Sequence, residues 1–148
     1  MTKERAALLV LGEIEDAFAE GVAALRPDAD LLPQLEALWR TVLARHENGR
    51  SASGRQLRAL YRLMRSEPLL RAAAVAVDDE RRTEFVGMLA DLTGAAPEDP
   101  TPALTAETSA TVVRVALDRW AAAMDAGGPE PDLLATYDAC VAAFRTLR

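Results

Sequence analysis

The chain has 148 residues, of which 50% are hydrophobic and 27% are charged, and this composition is typical of one globular domain rather than of a disordered segment. Its formal net charge of −6 disfavours direct nucleic-acid binding by this chain, because neutralising phosphates requires a basic surface. A single cysteine, Cys140, excludes an internal disulfide, and the absence of a long apolar run leads us to expect a cytoplasmic protein with no membrane segment.

Helical spacing of apolar residues organises the first third of the chain. The first predicted helix spans residues 3–25, with apolar side chains every three or four positions, and it ends before Pro27. Asp30 is the expected N-cap of a second helix, because its side chain accepts a hydrogen bond from an otherwise free backbone N–H of the first turn. Asn48 and Gly49 favour left-handed backbone and are expected to end that helix.

Two more helices are predicted in the middle of the chain. One covers residues 53–65. Ser66 is expected to cap the next helix, which reaches Thr93 and is terminated by Gly94. Charged residues at 78–82 make the centre of this fourth helix polar on every side.

The last two helices follow a proline-rich loop at residues 94–102. A long helix runs from this loop to about Ala126, and Asp132 begins the final helix. The sequence shows no alternating strand pattern, no internal repeat and no long linker. It therefore predicts one all-α domain over residues 1–148, a helical bundle of about five helices.

Both closing helices are apolar on more than one face, so each needs to be covered on two sides. In the long helix, one stripe of bulky apolar side chains can pack into the domain core. A second stripe of small side chains then remains to be covered. Two copies related by a two-fold axis would bury the remaining surface as a four-helix bundle, and helices of the same chain would cover it equally well. The homodimer interface predicted here comprises Val112, Ala116, Arg119, Ala123, Leu134, Tyr137, Val141 and Phe144.

Short motifs follow one another along the chain in a characteristic order. They are Thr2-Lys3-Glu4 with the apolar residues 6–9, the stretch 63–71 around Pro68, Thr93-Gly94 with the segment 97–100, the segment 116–120, Gly127-Gly128, and Asp132-Leu133-Leu134. Their order and spacing resemble the C-terminal ligand-binding and dimerisation region of TetR-family transcriptional regulators, over nearly the whole chain. The resemblance implies a TetR C-terminal-like fold, a pocket between helices, and a homodimer formed through the last two helices.

A family member of this kind would carry about fifty further residues before Thr2, including a helix-turn-helix whose second helix enters the major groove. We expect this chain to be a regulatory domain without that head, either truncated or a natural stand-alone relative. The resemblance then implies a non-catalytic domain that senses a mainly hydrophobic small molecule and couples its binding to DNA binding by the head. The alternative is a stand-alone helical adaptor or co-regulator that acts by protein–protein association.

A pocket for such a molecule is expected to be concave and mostly apolar. The residues predicted to bind the ligand are Trp39, Val42, Tyr61, Met64, Phe85, Met88, Val113 and Leu117, and Trp120 is a weaker candidate. Aromatic and methionine side chains at helical spacing more often belong to an ordinary core, and this alternative stays open.

The remaining polar features indicate no catalytic or metal site. His46 is the only histidine, so it forms neither a histidine metal site nor a catalytic pair, and a helical di-iron motif cannot be assembled; we expect neither a cofactor nor an enzyme. We interpret His46 as a helix-end residue, at a position where a positive charge is favoured. The third helix carries an arginine stripe, either a solvated face or a surface for an anionic group or for acidic residues of the head: Arg55, Arg58, Arg62 and Arg65.

Overall fold

Six α-helices and one 3-10 turn form the fold in this computed structural model, which describes the backbone of residues 3–147 and the side chains of residues 8–147. The helices are α1 (Lys3–Val22), α2 (Leu31–Ala44), α3 (Ala52–Ser66), α4 (Pro68–Thr93), α5 (Thr101–Asp125) and α6 (Leu133–Arg145), and the turn spans Glu47–Gly49. The all-α prediction is confirmed. The total is six against the predicted total of about five, and the six helices correspond to the six segments located in the sequence; extended backbone at Glu67, ahead of Pro68, separates α3 from α4.

Most helix ends follow the local chemistry of the sequence. Asp30 caps α2 by accepting a hydrogen bond from the Leu32 N–H at 3.3 Å, and Gly94 ends α4 in the left-handed conformation at φ 65°, so both predictions are confirmed. The prediction that Ser66 caps α4 is wrong. Ser66 is the last residue of α3, and its hydroxyl donates to the Leu63 carbonyl at 3.2 Å.

The fifth helix lies at the centre of the bundle and contacts α2, α3, α4 and α6, whereas α1 packs against α2, α3 and α4. One face of α5 is buried along most of its length, with Trp120 fully enclosed. Other buried residues of this face are Ala106, Val113, Ala116, Leu117 and Ala121. Of the helices described, none within residues 3–147 is long and apolar enough to cross a bilayer.

Asn48 joins the turn after α2 to the start of α6. Its backbone is left-handed at φ 54°, as predicted, but α2 ends earlier, at Ala44, so the prediction that Asn48 and Gly49 end that helix is wrong. Its side-chain oxygen accepts hydrogen bonds from Trp120 Nε1 at 3.1 Å and from the Leu133 N–H at 2.8 Å. Its side-chain nitrogen donates to the Pro131 carbonyl at 2.8 Å. One side chain therefore fixes the first turn of α6 against the middle of the fold.

The arginine stripe of α3 is anchored within the chain. Arg62 Nε lies 3.1 Å from one oxygen of Asp125 at the end of α5, and Arg65 Nη1 lies 3.6 Å from the other. Arg55 donates to the Arg50 carbonyl at 2.6 Å. Because the Arg62 side chain stays 73% exposed, these contacts contribute little to stability.

Candidate ligand-binding cavity

A cavity of about 270 Å³ lies between α1, α3, α4 and α5, with Trp39 of α2 at its base. Its deep walls are apolar, and buried residues such as Ile14, Tyr61 and Val113 line them. Exposed residues, including Val75 at 52% exposure, form the rim. This volume is close to the lower end of the ~300–1,000 Å³ that is typical of small-molecule sites.

Three aromatic rings form one wall of the cavity. Phe18 of α1 stacks on Trp39 with ring centroids 4.2 Å apart, and Phe85 of α4 meets Phe18 edge-on at 5.0 Å. Trp39 Nε1 donates to the buried Ser109 hydroxyl at 3.0 Å, so the only polar atom of this indole is satisfied. The wall is therefore a packed surface with no unpaired indole N–H facing a ligand.

The structure brings together most of the residues predicted from the sequence to bind a ligand. Seven of the eight line this one cavity, namely Trp39, Tyr61, Met64, Phe85, Met88, Val113 and Leu117. Val42 does not line it, and is 1% exposed in the core. Trp120 does not line it either, because its ring is buried beside Asn48. Ligand binding by the seven residues stays a prediction.

A charged rim was not identified from the sequence. It includes Glu15 of α1 and Asp78, Arg81 and Arg82 of α4, all of which line the cavity. Arg81 reaches across to α1, with Nη1 2.9 Å from Asp16 Oδ1. The residues at 78–82 were interpreted only as a polar stretch. One feature of the sequence could have indicated this rim. Glu15 lies next to the buried Ile14, within the apolar stripe of α1.

Glu15 is the most perturbed acid of the rim. Burial and the neighbouring Asp78 carboxylate raise its pKa from 4.5 to about 7, and the positive charge of Arg81 only partly opposes this. Other titratable or charged groups that line the same cavity are Tyr61 of α3, Arg82 and Glu84 of α4, and Arg114 and Asp118 of α5. Glu15 is therefore a carboxyl group that changes charge near neutral pH.

Replacing Glu15 by glutamine is expected to stabilise the fold in alkaline solution. Since folding raises the pKa of Glu15, the wild-type chain loses stability as pH rises from about 4.5 through about 7. The shift corresponds to at most about 3 kcal/mol, and partial solvent access lowers the expected gain to about 1–3 kcal/mol near pH 8. Chemical denaturation near pH 5 and pH 8 checks this, because the Glu15→Gln gain should nearly vanish at the lower pH.

Three of the eight residues predicted for a homodimer interface are buried, and contact through the other five stays a prediction. Ala116, Tyr137 and Val141 are buried within the chain, at 0%, 2% and 8% exposure, so they offer a partner little surface. Val112, Leu134 and Phe144 are half-buried, and Arg119 and Ala123 are exposed. The exposed residues of α6 include small apolar ones that the sequence pattern did not indicate, namely Ala135, Ala139, Ala142 and Ala143, together with Asp138, which pairs with Arg40.

His46 is buried, and this corrects its interpretation as a position that favours positive charge. Burial lowers its pKa and so favours the neutral imidazole, whose Nδ1 lies 3.0 Å from the Ser53 hydroxyl. Among the residues whose side chains are described, no group of three or more histidine, cysteine, aspartate or glutamate side chains is placed to hold a metal ion.

The domain has six helices, and residues of the first five line one cavity. Residues 32–145 match the family model of the MftR C-terminal domain, one of the TetR-type C-terminal domains. This match covers most of the chain, and the chain belongs to that family. No curated protein and no solved structure matches it. The predicted resemblance to TetR-family C-terminal regions is confirmed.

Proposed function

We propose that this chain is the effector-sensing and dimerisation domain of a TetR-type regulator and binds a mainly hydrophobic small molecule in the cavity, without catalysing a reaction. The observation that carries the proposal is the cavity of about 270 Å³ with an aromatic wall. A smaller apolar cavity of about 150 Å³ is known to admit benzene, so this volume suits a ligand of roughly ten non-hydrogen atoms.

The first helix is the element through which such a ligand would act on a DNA-binding head. Leu11, Ile14 and Phe18 of α1 line the cavity, and α1 begins at Lys3, on the side of the chain where a TetR-type regulator carries its head. A ligand that fills the cavity contacts α1 and α4 together. It shifts DNA binding only if it binds one arrangement of these helices more tightly than another, since equal affinities shift nothing.

The outer surfaces of α5 and α6 support the proposal of a homodimer. Ala135, Ala139 and Ala142 recur at helical spacing on the exposed side of α6, and Leu104 and Val115 of α5 are 63% and 39% exposed. Small side chains allow close approach of two helices, and a self-complementary patch is what a two-fold axis requires. We therefore place the dimer contact on this outer surface.

Blocking the cavity tests the proposed site. Ala74 of α4 is 4% exposed and lines the cavity, whereas Ala76 is exposed on the same helix and does not line it. In isothermal titration with 2-methylnaphthalene, a probe of roughly the expected size, Ala74→Phe should weaken binding at least about tenfold because the new ring occupies the site.

The matched variant Ala76→Phe should bind the probe like the wild-type chain. Thermal melting of both variants shows whether each one is folded before titration. Equal affinities for folded Ala74→Phe and Ala76→Phe would contradict the proposed site.

A further inference from the structure

Two polar atoms at the cavity lack hydrogen-bond partners. Among the described side chains, Glu15 Oε2 and Arg82 Nε are the buried nitrogen or oxygen atoms without one, and both residues line the cavity. Arg81 Nε is 3.4 Å from Glu15 Oε2 but does not form a hydrogen bond with it. Buried polar groups are nearly always paired in folded proteins, so two unpaired atoms in one cavity call for an explanation.

The residues that carry these two atoms both lie beside the Asp78 carboxylate. Arg82 pairs with Asp78 one helical turn away, and its Nη1 also lies 3.1 Å from Glu107 of α5. Glu15 lies beside the same Asp78 carboxylate from the opposite helix. The guanidinium is thus held by its terminal nitrogens and keeps Nε as a free donor, while Glu15 keeps Oε2 as a free acceptor.

When Glu15 is ionised, the formal charges that line the cavity cancel. Four residues are acidic and four are basic, namely Glu15, Asp78, Glu84 and Asp118 against Arg71, Arg81, Arg82 and Arg114. Arg81 forms ion pairs with Glu15 and Asp16. Arg82 forms ion pairs with Asp78 and Glu107. A net charge on the ligand beside Glu15 and Arg82 would therefore add to groups that already pair with one another, which is costly away from water.

We propose that the effector is a neutral molecule with an apolar body of roughly ten non-hydrogen atoms and one hydroxyl or carboxamide group, which donates to Glu15 Oε2 and accepts from Arg82 Nε. This inference rests on the proposed ligand-binding function of the cavity. The apolar body occupies the space beside Phe18 and Phe85, and the polar group lies at the Asp78 end. A single hydroxyl or carboxamide group can donate one hydrogen bond and accept another, so it would pair with both atoms without adding charge.

Three naphthalene probes of similar size test this inference by titration near pH 8, where Glu15 is mainly ionised. The probe 2-naphthol donates and accepts, 2-methylnaphthalene does neither, and 2-naphthoate is an anion. We expect 2-naphthol to bind about tenfold more tightly than 2-methylnaphthalene, and 2-naphthoate to bind more weakly than 2-naphthol.

Two variants then assign the preference to its residues. Glu15→Met removes the acceptor, and Arg82→Lys removes Nε while keeping a cation beside Asp78. Each should reduce the tenfold preference for 2-naphthol to about twofold. Glu84→Gln is the matched control, because Glu84 lines the cavity but is exposed. This variant should prefer 2-naphthol over 2-methylnaphthalene by the same factor as the wild-type chain.

The outcomes separate this inference from the proposed function. Equal binding of 2-naphthol and 2-methylnaphthalene overturns the polar subsite and leaves the apolar cavity in place. Tightest binding of 2-naphthoate overturns the neutral class of ligand. Retention of the tenfold preference in folded Glu15→Met and Arg82→Lys overturns the assignment to these residues. Binding of none of the probes overturns the proposed function together with this inference.

Discussion

Replacing Asn48 by alanine is expected to destabilise the fold by about 3 kcal/mol, or roughly 10 °C in Tm. The substitution removes the acceptor for two buried donors, the indole N–H of Trp120 and the backbone N–H of Leu133, and the donor for the Pro131 carbonyl. Trp120 and Leu133 are at most 1% exposed, so water cannot replace the lost partner without local opening. Chemical denaturation followed by circular dichroism measures this loss.

A glycine at the same position separates the side chain from the backbone. Asn48 has φ 54°, a conformation that costs alanine roughly 1 kcal/mol and glycine almost nothing. Asn48→Gly should therefore lose about 2 kcal/mol, slightly less than Asn48→Ala. If the glycine variant were as stable as the wild-type chain, the hydrogen bonds would have no net effect, and backbone strain alone would explain the alanine result.

A charge on the outer face of α6 is expected to dissociate the proposed dimer. Ala139 lies in the middle of the exposed alanine face, and Ala139→Glu places two carboxylates close to the two-fold axis. Burying them without partners should raise the dissociation constant at least about a hundredfold. Light scattering over a range of concentrations measures the dimer and monomer populations.

The control for this substitution lies on another helix. Ala72 of α4 is exposed and helical like Ala139, so Ala72→Glu has the same change in charge and helix propensity. It should leave the dimer intact. Dissociation by both variants, or by neither, would place the contact elsewhere, and a monomeric wild-type chain at high concentration would contradict dimerisation altogether.

The helices were predictable because their ends depend on local chemistry. Asp30 and Gly94 act through contacts within one turn of the chain, and the sequence alone identifies such contacts. The prediction for Ser66 was wrong because the residue before a proline favours extended backbone, which places the helix boundary one residue later, at Glu67.

The site was predictable only in part. Large apolar residues such as Tyr61 and Met88 could be assigned to an interior, and seven of the eight proposed residues line one cavity. Glu15 of α1 pairs with Arg81 of α4, and this contact depends on how the two helices are aligned. The residue pattern of a single helix does not specify that alignment. Likewise, the apolar pattern could not show that Ala116 and Tyr137 pack inside their own chain.

The methionine methyl groups provide the most direct test of ligand binding in the cavity. Met64 and Met88 line it, whereas Met124 packs elsewhere against the core. In a chain labelled with ¹³C at the methionine methyls, saturating 2-naphthol should shift the NMR signals of Met64 and Met88 and leave that of Met124 in place. A shift confined to Met124, or no shift at saturating probe, would contradict binding at this site.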